Sequence, residues 1–338
     1  MSKRPKIEQP SLTIKKPLYN TYFMVFSRTS LSTLVMLLLV STTTVFAQSS
    51  KAILKQHVYF LASDEMKGRE TGSAEVEQAA QYIEAEFSKY GLQPKGNNGY
   101  RQDFTAKITR VPVADSLRRA ANIIGFLDNS AAKTIVIGAH YDHLGHGTIG
   151  GSRDTLHIGE IHNGADDNAS GVAGLLELAR HYSQNEVKES FNLLFIAFGA
   201  EELGLLGSKH FTQNPTIPLN QIRWMLNMDM IGRYQPENGL AIIGHGTSPA
   251  FVEIFDGVTS DIKFYTSKDG NGGSDQTSFY KKDIPVLFFH TGGHPDYHMA
   301  SDDADKIDYK ALQSIVDLEI KIIDRSMQVA DMPFQWTN

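Results

Sequence analysis

The chain of 338 residues contains no cysteine. This absence excludes disulfide bonds, thiol nucleophiles and thiolate zinc ligands, so any bound metal must rely on histidine nitrogen and carboxylate oxygen. The formal net charge is only −6, which argues against a broad nucleic-acid-binding surface. A chain of this length can still bury a sizeable core without disulfides. The informative residues are therefore the acids and histidines.

The first 47 residues are typical of an export signal. Positive charges precede an apolar stretch from Leu31 to Val40, which is shorter than the ~20 residues that a transmembrane helix needs. Val45 and Ala47 have the spacing of a signal-peptidase site. We predict a signal peptide over residues 1–47, with a start at Met24 or an uncleaved anchor as alternatives. The mature protein is then expected to be periplasmic or secreted, without stable membrane insertion.

Residues 48–338 alternate between strand-like and helix-like patterns. Apolar runs that end near Ala139, Phe198, Met228 and Phe289 predict buried strands, and apolar stripes at helical spacing lie between them. Such alternation predicts an α/β fold, with a mostly parallel central sheet flanked by helices in an α/β/α sandwich. We see no change in composition that marks a second domain. The long loop from residue 141 to residue 164 is expected to lie over the functional site.

Acids and histidines follow the predicted strands. His140 and Asp142 end the first of these runs, Glu201 and Glu202 follow the second, and Asp229 follows the third. Carboxylates at buried strand ends are costly unless a positive group neutralises them, and ligands bind at this edge of an open α/β sheet. Because no Lys or Arg accompanies these groups, we predict a divalent metal site.

Each motif alone has a plainer explanation. His140 and Asp142 could be a buried histidine and its acceptor, and the acids Asp166 and Asp167 could cap the next helix. The paired glutamates could complement the dipole of a helix, although one could ligate a metal while the other acts as general base. The combination of the motifs is what favours a catalytic metal centre.

Taken in order, the motifs resemble the M28 family of co-catalytic zinc aminopeptidases. The resemblance runs from about residue 51 to residue 327, beginning with H-V-Y-F-L-A-S-D at residues 57–64 and G-R-E-T-G at residues 68–72. It continues with G-A-H-Y-D, N-G-A-D-D-N-A-S-G, A-F-G-A-E-E-L-G, N-M-D-M-I-G and Y-H-M-A-S-D-D-A-D-K-I. No protease-associated domain is inserted, and Gln276 stands where family members commonly have histidine in S-D-H-x-x-F. Because this motif is expected near the substrate region, the difference concerns specificity more than catalysis.

The resemblance implies a set of five zinc ligands. His140, Asp167 and Glu202 would bind one zinc ion, and Asp167 would bridge to a second ion held by Asp229 and His298. Three carboxylates then face the four positive charges of two zinc ions, and a bridging hydroxide completes neutrality. Zinc lowers the pKa of bound water to about 7, so this hydroxide is available at neutral pH.

Further roles follow from the same resemblance. Glu201 would be the general base, and the carboxylate of Asp142 would accept the second ring N–H of His140. A cis peptide is expected between Asp167 and Asn168. The implied activity is removal of N-terminal amino acids from peptides, with some preference for apolar first residues inferred from Phe279, Phe288 and Phe289.

Three alternatives remain from the sequence. A glutaminyl-peptide cyclase would use one zinc ion on the same scaffold, whereas the complete ligand set favours hydrolysis. A carboxypeptidase would need a basic pocket, for which Arg153 and Arg233 are candidates. A non-catalytic exported zinc-binding module would have no use for Glu201 as a base.

Overall fold

The computed structural model describes residues 49–337, and the predicted signal peptide over residues 1–47 lies outside the described residues. The helices are α1 (Ser49–Leu61), α2 (Ala74–Lys89), α3 (Gly171–Gln184), α4 (Leu206–Gln213), α5 (Ala250–Phe255), α6 (Gln276–Tyr280) and α7 (Tyr309–Ser326). The strands are β1 (Gln93–Pro94), β2 (Arg101–Lys107), β3 (Leu117–Leu127), β4 (Thr134–His140), β5 (Asn192–Phe198), β6 (Ile222–Met228), β7 (Leu240–Ile243), β8 (Phe264–Ser267) and β9 (Val286–His290). Within residues 49–337, no helix is both long enough and apolar enough to span a membrane.

The strands form one mixed sheet in the order β1-β3-β5-β4-β6-β9-β7-β8, with β2 paired to β3. The four central strands, β5, β4, β6 and β9, are parallel to one another. Antiparallel strands join this centre on both sides, at the β3–β5 and β7–β9 pairs. The predicted fold class, a mostly parallel sheet between helices, is confirmed.

Both faces of the central strands are buried, which explains their continuous apolar sequences. In β5, the alternate residues Leu193 and Phe195 face a core formed with α1, α2, α3, α5 and α7. Their neighbours Leu194 and Ile196 face a second core formed with α4 and α6. This alternation is the two-residue period of a strand read on both sides of one sheet.

The parallel centre positions the site. Strands β4, β5, β6 and β9 all end at the same edge of the sheet, and the loops after them carry the acids and histidines of the predicted centre. A turn at Ala165–Ser170 leads into α3 at this edge, and 3₁₀ turns lie at Asp64–Arg69, Leu219–Gln221, His245–Thr247 and Ala304–Lys306. The sheet therefore brings together residues that are far apart in the sequence.

Candidate metal centre

The first cluster joins His140, Asp167 and Asp229. The Nε2 atom of His140 lies 3.2 Å from Oδ1 of Asp167 and 3.4 Å from Oδ1 of Asp229. This nitrogen is buried and has no hydrogen-bond partner within residues 49–337. Burial by itself would lower the pKa of His140, but the neighbouring Asp229 and Glu201 carboxylates raise it well above its usual value. A divalent cation between these three ligand atoms would satisfy the same charges.

The second cluster is built around the other oxygen of Asp167. The Nε2 atom of His298 lies 3.1 Å from Oδ2 of Asp167 and 3.4 Å from Oε1 of Glu202. Burial opposes protonation of His298, yet the two carboxylates raise its pKa to about 10. Its Nδ1 donates to the Gly151 carbonyl at 2.8 Å, which leaves Nε2 to face the carboxylates.

The two clusters correct the expected division of ligands. His140 lies with Asp229 and not with Glu202, while Glu202 lies with His298. Asp167 presents one oxygen to each cluster, as a bridging ligand must. The five residues therefore meet as the resemblance implied, but as His140–Asp167–Asp229 and Asp167–Glu202–His298. Their function as metal ligands stays a prediction.

His143 is a member of the second cluster that the five-ligand set omitted. Its Nδ1 lies 2.9 Å from Oε1 of Glu202 and 3.9 Å from Oδ2 of Asp167. Because a carboxylate oxygen only accepts hydrogen bonds, the His143 ring donates to Glu202 and orients its side chain. The Nε2 atom of His298, in contrast, lies near the carboxylates of both Asp167 and Glu202. The sequence signal for this residue is its place directly after His140-Tyr141-Asp142.

Asp142 contacts His140 through its backbone carbonyl and not through its carboxylate, which differs from the expectation. The backbone carbonyl of Asp142 accepts from Nδ1 of His140 at 3.1 Å, while its carboxylate Oδ1 lies 3.9 Å from the same nitrogen. The carboxylate instead accepts from the backbone N–H of Glu201 at 3.0 Å and from the Thr71 hydroxyl at 2.8 Å. Asp142 thus orients His140 through its main chain and supports the Glu201 segment through its side chain.

Glu201 has no place in either cluster. Its Oε2 lies 4.0 Å from Nε2 of His140, and its side chain lines the cleft beside the clusters. Burial raises the pKa of this carboxyl well above its usual value, with His140 opposing the shift. A carboxyl that faces a reaction site and holds its proton more tightly than usual can take up and return a proton.

The turn before α3 aims Asp167 into the site. Gly164 has φ 59°, and the His143 ring and the Asp167 carbonyl occupy the place where a Cβ atom would stand. The Asp302 carboxylate accepts the N–H groups of Asp166 and Asp167, and the Asp167–Asn168 peptide is cis as expected. The side chain of Asp166 points away from the clusters and accepts from the Gly232 N–H at 2.6 Å.

A cleft of about 360 Å³ opens beside the two clusters. Its apolar lining includes Met230, Ile243 and Phe288, and His290 is held in it by a 2.8 Å bond between its Nδ1 and the Asp229 carbonyl. No Lys or Arg is among the described residues that line it. Phe279 and Phe289 lie fully in the core, as the more probable interpretation of these phenylalanines has it, and of the three Phe288 lines the cleft.

Residues 122–323, more than half of the chain, match peptidase family M28. The α/β/α fold and the clustered carboxylates and histidines are those of a metallopeptidase. The chain belongs to the M28 family.

Individual comparisons agree on the fold. The chain is 30% identical to the aminopeptidase YwaD of Bacillus subtilis (strain 168) over 46% of its length and 36% of that enzyme. It spans about a third of the length of such curated relatives. An aminopeptidase from Aneurinibacillus sp. strain AM-1 superposes with a TM-score of 0.61 and 19% identity over 85% of this chain and 96% of that one. A Bacteroides thetaiotaomicron glutaminyl cyclase superposes with a TM-score of 0.62 and 21% sequence identity, over 82% of this chain and 97% of that one.

Proposed function

We propose that this chain is a zinc-dependent aminopeptidase that removes N-terminal residues from peptides. The main support for this proposal is the position of Asp167, which offers one oxygen to each of the two clusters. Glu201 lies outside both clusters. Family membership implies zinc, and the histidine and carboxylate atoms of both clusters suit that ion. Two ions per chain follow from the bridging position of Asp167.

The ligand residues would be His140, Asp167 and Asp229 for one ion and Asp167, Glu202 and His298 for the other. Bound zinc would polarise the scissile carbonyl and lower the pKa of a water molecule. The peptide would enter the cleft that Phe288 and Tyr297 line, with its first residue toward the clusters.

Glu201 then moves the proton. Its carboxylate takes a proton from the attacking water and returns it to the amine that leaves when the peptide bond breaks. The Asp142 carboxylate holds the Glu201 backbone during both transfers. Burial of the reacting groups strengthens each electrostatic interaction at the site.

Whether cleavage requires a free N-terminus can be tested directly. We would compare the leucine anilide with its N-acetyl form on zinc-loaded protein. An aminopeptidase cleaves the free amine and leaves the blocked compound intact, whereas equal cleavage of both would refute the exopeptidase assignment.

Glutaminyl cyclisation is the second candidate because a glutaminyl cyclase shares the fold. Cyclisation of N-terminal glutamine peptides, with one bound zinc ion and no anilide cleavage, would favour it. A carboxypeptidase has less support, since Arg233 is paired with Asp296 at 2.9 Å and Arg153 lies over the Tyr297 ring rather than in the cleft lining. A non-catalytic zinc module leaves Glu201 without a role.

We also propose that the protein is exported to the periplasm or the medium. The proposal rests on the basic and apolar pattern before Ala47. N-terminal sequencing of exported material should begin near Gln48. An intact Met1 or Met24 would contradict cleavage.

A further inference from the structure

Arg69 is a buried guanidinium whose hydrogen bonds in the described structure all go to backbone carbonyls. Its Nε donates to Tyr141 at 2.9 Å, its Nη1 to Asn163 at 2.8 Å and to Leu61, and its Nη2 to Gly164 at 3.0 Å. Burying an arginine is costly unless its donors are paired, and here each of the three guanidinium nitrogens has a carbonyl partner.

Three of these four carbonyls belong to the two turns that carry metal-cluster residues, and the fourth, that of Leu61, lies at the end of α1. Tyr141 directly follows His140, and Asn163 and Gly164 directly precede the turn that contains Asp167. The planar guanidinium spans both turns at once, because its donors form a rigid fork. Arg69 therefore fixes the distance between the segments of His140 and Asp167 without touching either side chain.

Thr71 makes a second connection, two residues later. Its hydroxyl donates to Oδ2 of Asp142 at 2.8 Å, and Oδ1 of the same carboxylate accepts the Glu201 N–H at 3.0 Å. Thr71 and Asp142 are both buried. Without the hydroxyl, one oxygen of the buried Asp142 carboxylate would lose its partner and the carboxylate would be free to turn.

We propose that Arg69 and Thr71 are positioning residues of the M28 site. Arg69 holds the turns that carry His140 and Asp167, and Thr71 holds the backbone of Glu201 through Asp142. Both residues lie before the segment 122–323 that matches the family. The kinetic part of this inference rests on the proposed function, which assigns Glu201 as the general base.

The kinetic test uses Thr71→Val and Thr71→Ser. Valine keeps the shape of threonine but removes the hydroxyl, whereas serine keeps the donor. Thr71→Val should lower kcat about 10- to 100-fold, with KM and zinc content unchanged, since a displaced catalytic group costs rate rather than binding. Thr71→Ser should recover most of the rate. The matched control is Thr105→Val on the exposed face of β2, which should behave as wild type.

Wild-type kcat in Thr71→Val would overturn the role of Thr71. So would a loss that serine does not recover, or a loss that follows zinc content in proportion. If Thr71→Val fails to fold by circular dichroism, the serine variant with wild-type rate and Asp142→Asn with lowered kcat would still support the connection, and wild-type kcat in folded Asp142→Asn would refute it.

Arg69→Lys provides a measurement that does not depend on turnover. Lysine keeps the charge but cannot bridge the two turns, so zinc affinity measured against a chelator should fall about 10- to 100-fold. Unchanged affinity in the folded variant would refute the role of Arg69. If the wild type binds zinc but cleaves no free N-terminus, the aminopeptidase proposal fails, while this affinity still decides the positioning role.

Discussion

Glu201 and Glu202 are adjacent glutamates that the structure places in different environments, so exchanging each for glutamine tests their roles directly. The Oε1 atom of Glu202 lies 2.9 Å from Nδ1 of His143 and 3.4 Å from Nε2 of His298. Glu201 has its Oε2 4.0 Å from His140 and faces the cleft. The two substitutions remove the same charge from neighbouring positions, and each variant is the control for the other.

Glu201→Gln should retain two zinc ions and lose nearly all turnover. Loss of general-base catalysis costs about 10²–10⁴ in rate, or about 2.7–5.4 kcal/mol in activation free energy. Glu202→Gln should instead release the ion of the Asp167–Glu202–His298 cluster, because a neutral amide replaces an anionic ligand.

Zinc content by plasma mass spectrometry and hydrolysis of leucine anilide, measured on the same preparations, separate the two effects. If Glu201→Gln loses zinc but keeps its activity per bound ion, the two glutamates have been assigned the wrong way round. Full activity in Glu201→Gln with full zinc would remove the general base from the mechanism.

Three further predictions concern the metals and the core. Asp229→Asn should lower zinc content toward one ion per chain, since only His140 and Asp167 remain in that cluster; two tightly bound ions in the variant would contradict the ligand division. Chelation should abolish hydrolysis and added zinc should restore it, and hydrolysis that persists after complete zinc removal would exclude a metal mechanism. Glu319 is fully buried and has no hydrogen-bond partner among the described residues, and burial raises its pKa well above the usual value. The folded state therefore binds its proton more tightly, so stability falls as the pH rises from about 4.3, by up to about 1.4 kcal/mol per unit, until the raised pKa is passed. Glu319→Gln should remove that loss in denaturant unfolding, and an equal pH slope in both proteins would refute it.

The sequence alone identified the sheet centre and the site edge. Continuous apolar runs predicted β4, β5, β6 and β9, because strands buried on both faces favour apolar residues at successive positions. The sequence pattern did not predict the antiparallel strands β2 and β3. The residues of β2 are mostly polar, and β3 begins with exposed and half-buried residues before its buried part. Their place depends on pairing with β5 and with each other.

The tertiary structure decided which residues meet. Gly138 of β4 pairs with Asn227 of β6, so two residues further on His140 comes beside Asp229. Glu202 lies beyond a turn after β5 and reaches the loop that carries His298. Residue types and their order predict a metal site at a common sheet edge. Strand order, register and loop paths, which arise only when distant segments pack, determine how the ligands are shared and that the Asp142 carboxylate supports Glu201.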